Sequence, residues 1–215
     1  MVAEELYEDA LPCRRFPAYK GQRYFSGHYW LATTGRHVGY ESLLERTHLT
    51  LLDFDLDVVA VAAQPFVLQW PEGRRLAQHI PDFFVRHADG RASVVDVKPQ
   101  ARVSERDRVV FTAVREACAE VGWSHRVCHE PAPLLLRNVE WLAGYRRQVC
   151  DDPRIAGVLL AACDSPTPLG EVAAAHPVAE QARPVLFHLL WHQRIACDLS
   201  MRLSDSSLLT AVSVP

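Results

Sequence analysis

Two acidic residues and a lysine lie on neighbouring predicted strands, at positions that a tight turn would bring together. Pro81-Asp82 opens the first strand, and Val94-Val95-Asp96-Val97-Lys98 ends the second. The Ala88-Asp89-Gly90 turn signal between them predicts a β-hairpin, which returns the second strand beside Asp82. Because residues two apart in a strand share a face, Asp96 and Lys98 are expected to point the same way.

These side chains are typical of metal-dependent phosphodiester hydrolysis. The carboxylates of Asp82 and Asp96 are suitable ligands for Mg²⁺ or Mn²⁺. The ammonium of Lys98 can position a water or stabilise a charged phosphorus centre. Lys20 and Lys98 are the two lysines among 23 Lys and Arg residues, so the other 21 are arginines. Lysine and arginine do not substitute for each other in such a site, so a lysine in this strand favours a catalytic site over an ordinary strand. The alternative is an ordinary strand that ends in a solvated lysine, with Asp82 as a strand-start cap.

A nuclease site of this type needs one more acid, from the helix before the hairpin. Residues 41–54 are predicted to be helical, because Leu44, His48 and Leu51 recur near helical spacing. Glu41 and Glu45 are four residues apart and share a face. Either could supply the acid, and a solvated pair of glutamates is the alternative.

The predicted elements form an α/β fold, a mixed sheet flanked by helices with the metal site at the centre of the sheet. A second helix is expected from the Ser104 cap to about residue 121. The predicted strands lie at 58–63, 66–70, 82–87, 92–98 and 125–128, after either two short strands or an extended segment within 25–40.

Three segments are expected along the chain: a loosely held N-terminal arm (1–24), a catalytic core (25–150), and a linker with a small C-terminal module (151–215). The linker, 151–183, is rich in Ala and Pro and contains one short predicted helix, 169–175. A helix at 184–194 and strands at 195–199 and 208–212 follow. This outline suggests a winged-helix-like module, and an appendage packed on the core is the alternative.

The composition sets limits on localisation and partners. The net charge is −3, with 4 basic and 7 acidic residues after residue 150, so the chain is not a generally basic nucleic-acid binder. No apolar run is long enough to span a membrane, and the N-terminal residues lack an apolar signal core, so a cytoplasmic protein with no membrane partner is expected. The six cysteines form no Cys-x-x-Cys pair, which speaks against a zinc ribbon.

Any DNA contact must therefore come from local clusters of basic residues. The alternative for each cluster is a solvated surface. One candidate cluster follows the Asp-x-Lys strand, and the other lies near the N-terminus: Arg102, Arg106, Arg108 and Arg115, and then Arg14, Arg15, Lys20 and Arg23.

A set of short segments in collinear order carries a family resemblance across about residues 25–145. The segments are Thr34-Gly35-Arg36, Ser42-Leu43-Leu44-Glu45, Leu52-Asp53-Phe54-Asp55 running through Val58 to Gln64, Pro81-Asp82-Phe83-Phe84-Val85, Asp96-Val97-Lys98-Pro99 and Asn138-Val139-Glu140-Trp141-Leu142. As an ordered set they resemble the TnsA-type endonuclease subunit of heteromeric transposases, a branch of the restriction-endonuclease-like nucleases.

The resemblance implies a fold and a set of site residues. The fold would be restriction-endonuclease-like. Glu45 (in preference to Glu41), Asp82, Asp96 and Lys98 would be catalytic, and the Val97 carbonyl would join the three acids as a ligand of Mg²⁺ (or Mn²⁺). Some family members carry Gln at the position of Asp96. Arg36, Arg102 and Arg106 are the DNA-binding candidates.

The resemblance also implies an activity and partners. The chain would cut DNA at the 5′ ends of a mobile element, beside a DDE transposase subunit that cuts the 3′ ends. An AAA+ regulator is a further implied partner, with the C-terminal module as its candidate contact. Two alternatives stay open: a free-standing repair or restriction nuclease, and a non-catalytic DNA-binding or adaptor subunit with a vestigial site.

Overall fold

The chain divides into two units, Met1–Glu130 and Pro131–Pro215. The computed structural model describes residues 6–16 and 25–212. The division falls after Glu130 rather than after residue 150, because the segment that begins at Pro131 packs with the C-terminal part. Val139 and Leu142 are fully buried there, and the Asn138 side-chain amide donates to the carbonyls of Leu199 and Met201 at 2.9 and 2.6 Å.

The first unit is built from short strands and two α-helices. Its elements, within the described residues, are β1 (Gly27–Trp30), β2 (His37–Tyr40), α1 (Leu43–Phe54), β3 (Val58–Ala63), β4 (Leu68–Glu72), β5 (Arg75–His79), β6 (Phe83–His87), β7 (Ala92–Val97), α2 (Glu105–Glu120) and β8 (Ser124–Cys128).

A four-stranded mixed sheet, in the order β3-β6-β7-β8, forms the centre of this unit. β3, β6 and β7 are antiparallel, with Phe83 opposite Val95. β8 runs parallel to β7 after the crossover through α2, with Val95 opposite Arg126. The predicted hairpin and the predicted last strand are both present.

The two faces of the sheet pack against different helices. Phe83 and Val95 belong to the cluster that includes Leu49 and Leu52 of α1. Phe84 and Val94 belong to the other cluster, with Val114 and Cys118 of α2. Side chains alternate between faces along each strand, so almost wholly apolar strands are required when both faces are covered. The expected mixed sheet flanked by helices is confirmed.

The ends of both helices follow local sequence signals. Ser42 is the N-cap of α1 and accepts a hydrogen bond from the Glu45 N–H at 3.1 Å. Ser104 and Asp107 form a capping box at the start of α2. α2 ends before Gly122, whose φ of +75° is readily adopted by glycine.

The segment between β3 and β6 differs from the single strand predicted at 66–70. It forms a separate two-stranded hairpin of β4 and β5, with Gly73 in the turn at φ +60°. β5 is not predicted because its sequence, Arg75 to His79, is polar at three of five positions and contains no β-branched or aromatic residue. Its last residue, His79, leads directly to Asp82.

The described part of the N-terminal arm, residues 6–16, is not loosely held. The Tyr7 ring packs 5.2 Å from Trp123 and 5.4 Å from Phe66, measured between centroids, while Glu8 pairs with Arg86 at 3.0 Å. These contacts bury an aromatic side chain and two charges against the sheet, which the mixed charge of the segment did not indicate. Lys20 and Arg23 lie outside the described residues.

The second unit is mostly helical. Its elements are α3 (Pro133–Leu142), α4 (Pro153–Ala161), β9 (Thr167–Pro168), α5 (Leu169–Ala174), α6 (Ala179–Trp191), β10 (Ile195–Ala196) and β11 (Leu208–Ala211). The three short strands pair antiparallel in the order β10-β11-β9.

The expected linker at 151–183 contains a helix that the sequence analysis missed. Asp152 caps α4 by accepting from the N–H groups of Arg154 and Ile155. Pro153 stands at the first helical position, where its missing N–H costs nothing. Proline therefore begins this helix, and the prediction of a linker from its presence is wrong at this position.

Candidate active site

Asp82 lies at the end of β7 because the β6–β7 hairpin returns the chain there. Its Oδ2 accepts a hydrogen bond from the Val97 N–H at 2.7 Å. Phe83 and Val95 are paired in the ladder, so the residue before β6 meets the residues after Val95. The structure thus brings Asp82 to the segment that carries Asp96 and Lys98.

Glu45 reaches the same region from the first turn of α1. It is 8% exposed, and its two carboxylate oxygens accept from the Glu41 N–H at 2.7 Å and the Ser42 Oγ–H at 2.8 Å. Glu41 precedes the N-cap and is not part of the helix. Both glutamates line a cleft of about 800 Å³ together with Val97 and Lys98.

Asp96 is held between two histidines. His79 Nε2 donates to Oδ1 at 2.7 Å, and His125 Nε2 donates to Oδ2 at 2.8 Å. Asp96 is 3% exposed, and the His125 side chain is fully buried. Neither histidine is predicted as a site residue from the sequence.

Lys98 is paired with a third aspartate, which was also missed. Its Nζ donates to Asp107 Oδ1 at 2.7 Å, while Asp107 Oδ2 accepts from the N–H and Oγ–H of Ser104. The expected convergence of Lys98 with Asp82 and Asp96 is therefore incomplete, because the ammonium is directed to the first turn of α2. A signal did exist, since a Ser-x-x-Asp capping box predicts where an acid begins a helix.

The acids differ in protonation behaviour according to their surroundings. Burial, and then repulsion by Glu45 and Asp96, raises the pKa of Asp82 well above its usual range. Burial also raises the pKa of Glu45, against hydrogen bonds from Glu41 and Ser42. Burial opposes ionisation of Asp96, but hydrogen bonds from His125 and His79 outweigh it and lower the pKa. The cluster thus contains one acid held as an anion and two that resist ionisation.

The three arginines proposed to bind DNA lie in different settings. Arg102 lines the cleft beside Lys98, and Arg106 is exposed in the first turn of α2. Arg36, by contrast, pairs with Asp9 of the N-terminal segment.

The donor chemistry of the cleft fits a hard divalent cation. Glu41 Oε1 is buried without a hydrogen-bond partner, and the repulsion of Asp82 by Glu45 and Asp96 would be relieved by a positive ion. No group of three or more His, Cys, Asp or Glu side chains in the described ranges 6–16 and 25–212 is arranged as a ready metal site. Carboxylate oxygens that accept one hydrogen bond retain a lone pair for a cation, so the same residues suit binding after side-chain adjustment.

A separate Asp-His-Ser arrangement lies at the other end of β6. His87 Nδ1 donates to Asp57 Oδ2 at 2.8 Å, and its Nε2 accepts from Ser93 Oγ at 2.6 Å. The order matches that of a hydrolase triad. Ser93 is 3% exposed, however, and also accepts from Ser124 Oγ at 2.9 Å. We interpret the arrangement as a buried hydrogen-bond network that joins β6, β7 and β8.

No family model and no curated protein matches the chain. In the described residues, no helix combines the length and apolarity needed to cross a lipid bilayer.

Proposed function

We propose that the chain is a metal-dependent DNA endonuclease subunit of a heteromeric transposase. One observation carries the proposal. The carboxylate of Asp82 accepts from the Val97 N–H, between Asp96 and Lys98, and Val97 and Lys98 line the same cleft as Glu45. Three acids and a lysine thereby come from one helix and two adjacent strands.

The order of elements supports a restriction-endonuclease-like core. The sequence α1, β3, β6, β7, α2 and β8 forms a mixed sheet with a helix on each face. Asp82, just before β6, lies close enough to Glu45 of α1 and to Asp96 of β7 for both to repel its charge. This agrees with the resemblance to TnsA-type endonucleases in the segments around Glu45, Asp82 and Lys98.

Asp82, Asp96, Glu45 and the Val97 carbonyl would hold Mg²⁺ or Mn²⁺. The bound ion would supply Lewis acidity at the scissile phosphate and lower the pKa of an attacking water. Without a cation, the negative charges of Asp82 and Glu45 would be poorly compensated. This would favour binding of a divalent cation. Lys98 has a flexible stem, so its ammonium could leave Asp107 and stabilise charge at phosphorus.

The charge of the cleft supports action within a larger assembly. Glu41, Glu45 and Glu130 line it, against Lys98 and Arg102. Such a surface attracts DNA phosphates weakly. A DDE transposase subunit bound to the transposon ends would deliver the 5′ strand to the cleft, with Arg102, Arg106 and Arg36 as DNA contacts.

The structure of the second unit favours binding to another protein over sequence recognition of DNA. Its order α4-β9-α5-α6-β10-β11 and its three-stranded sheet are consistent with a winged-helix-like module, in which α6 would take the position of the recognition helix. Residues 185–191 of α6 are buried, however, so this part of the helix is not free to enter a DNA groove. An AAA+ regulator is the proposed partner of this unit.

A second candidate is a non-catalytic adaptor subunit. It is favoured by the present partners of two site residues, since both oxygens of Asp96 accept from histidines and Lys98 pairs with Asp107. In this case the acids would serve the fold alone.

Nicking of supercoiled plasmid in Mn²⁺ tests the proposal. Wild type, Asp82→Ala and the control Asp89→Ala, an exposed acid in the β6–β7 turn, are compared with and without the co-encoded transposase. Cutting that needs the transposase, is lost in Asp82→Ala and persists in Asp89→Ala supports the proposal. Cutting by the chain alone would indicate a free-standing nuclease. Absence of cutting, or equal cutting by Asp82→Ala, contradicts the assigned site.

A further inference from the structure

We propose that His79 and His125 are positioning residues that orient Asp96 toward the metal ion of the proposed nuclease site. The inference rests on the proposed function and concerns residues that the family resemblance did not indicate. It starts from an unusual environment, in which one buried carboxylate receives an imidazole N–H on each oxygen.

The two histidines approach Asp96 from different elements. His125 is in β8, the parallel neighbour of β7, and lies opposite Val94. Because Val94 and Asp96 share a face, His125 is a diagonal neighbour of Asp96 on the face that α2 covers. The Phe111 ring of α2 packs against His125 with centroids 6.0 Å apart, which restricts rotation of the imidazole.

His79 links Asp96 to the chain that delivers Asp82. It ends β5, and Ile80 and Pro81 connect it to Asp82. The same short segment therefore places one acid through its backbone and restrains the other through its imidazole. Asp82 and Asp96 are thus expected to keep a constant relative position, which a shared cation requires.

The hydrogen bonds leave capacity for a metal ion. Each carboxylate oxygen of Asp96 accepts one hydrogen bond and has a second lone pair. Groups that hydrogen-bond to metal ligands set their orientation, and their loss typically weakens metal binding by about 10–100-fold. If the histidines only satisfied a buried charge, their removal would affect folding and leave the relative strength of metal binding unchanged.

Binding of Mn²⁺ alone, measured by EPR of the free ion, tests the inference. The proteins are wild type, His79→Ala, His79→Gln, Gln78→Ala and Asp82→Ala. Glutamine places an amide N–H near the position of Nε2, whereas alanine removes the donor. Gln78 is the exposed neighbour of His79 in β5 and provides the matched control. His79 is chosen because its side chain is 22% exposed, while that of His125 is fully buried and its replacement endangers folding.

The expected result is binding about 10–100-fold weaker in His79→Ala, near wild-type binding in His79→Gln and Gln78→Ala, and none at this site in Asp82→Ala. Urea unfolding of the metal-free proteins confirms that each variant is folded. Wild-type affinity in His79→Ala, with loss in Asp82→Ala, overturns the inference and leaves the proposed function intact. Equal weakening in His79→Ala and His79→Gln also overturns it. Equal binding by wild type and Asp82→Ala refutes the proposed metal site, and the inference with it.

Discussion

The ion pair between Lys98 and Asp107 is expected to make a measurable contribution to stability. Asp107→Asn is expected to lower the free energy of unfolding, because it removes the negative charge that accepts from Lys98 Nζ at 2.7 Å. The asparagine side-chain oxygen can still accept from the Ser104 N–H, so the helix cap is largely retained. The loss therefore reports on the ion pair.

The magnitude follows from the lowered pKa of Asp107. Hydrogen bonds from Lys98 and Ser104 lower this pKa from 3.8 to about 2. At about 1.36 kcal/mol per pH unit, this difference corresponds to at most about 2.4 kcal/mol. The side chains of Lys98 and Asp107 are 36% and 23% exposed, so screening by water reduces the expected loss to roughly 1 kcal/mol.

The pH dependence has a definite sign. The pKa of Asp107 is lower in the folded than in the unfolded chain, so the contribution is fully present well above pH 3.8 and is lost as the pH falls toward 2. The stability difference between wild type and Asp107→Asn should accordingly persist at pH 7 and shrink between about pH 4 and pH 2.

The assay is a double-mutant cycle in which the unfolding of each protein by urea is measured. Asp107→Asn, Lys98→Met and the double variant should reveal a coupling of roughly 1 kcal/mol at pH 7, and a midpoint shift of about 0.5 M urea for Asp107→Asn. Glu105→Gln is the control, since Glu105 is in the same turn and its side chain is 87% exposed. Additive effects of the two substitutions, or an equal loss in Glu105→Gln, would refute the reasoning.

Two further outcomes are expected from the site and its surroundings. Asp82→Asn should raise the free energy of unfolding at pH 7 by about 0.5–2 kcal/mol, because it removes a buried charge that Glu45 and Asp96 repel. In urea unfolding the gain should shrink as the pH falls and wild-type Asp82 takes up a proton, and a loss of stability at pH 7 would contradict the argument. Burial, and then Asp96, raises the pKa of Cys118 to about 11, so in the folded protein at pH 8 it should resist a thiol reagent that labels the exposed Cys13. Mass spectrometry of labelled peptides measures both sites, and equal labelling rates would disprove the expected protection.

Much of the core could be predicted because local rules determine it. The β6–β7 hairpin follows from two apolar runs around the Ala88-Asp89-Gly90 turn, and the start of α2 follows from Ser104 with an acid three residues later. Both signals depend on residues within a few positions of each other. The placement of Asp82 beside the end of β7 then follows from the strand register alone.

The sequence by itself thus determined the apolar strands of the central hairpin, the helix caps and the meeting of Asp82 with the Asp96 strand. The tertiary structure decided the partners: His79 and His125 lie 17 and 29 positions from Asp96, and residues 6–16 pack on strands far along the chain. Hydrophobic periodicity and capping motifs record which face of an element is buried, and they carry no information on which distant side chain meets it. Such pairings form only when the whole core packs, because a buried carboxylate is then stabilised by whichever hydrogen-bond donors lie next to it.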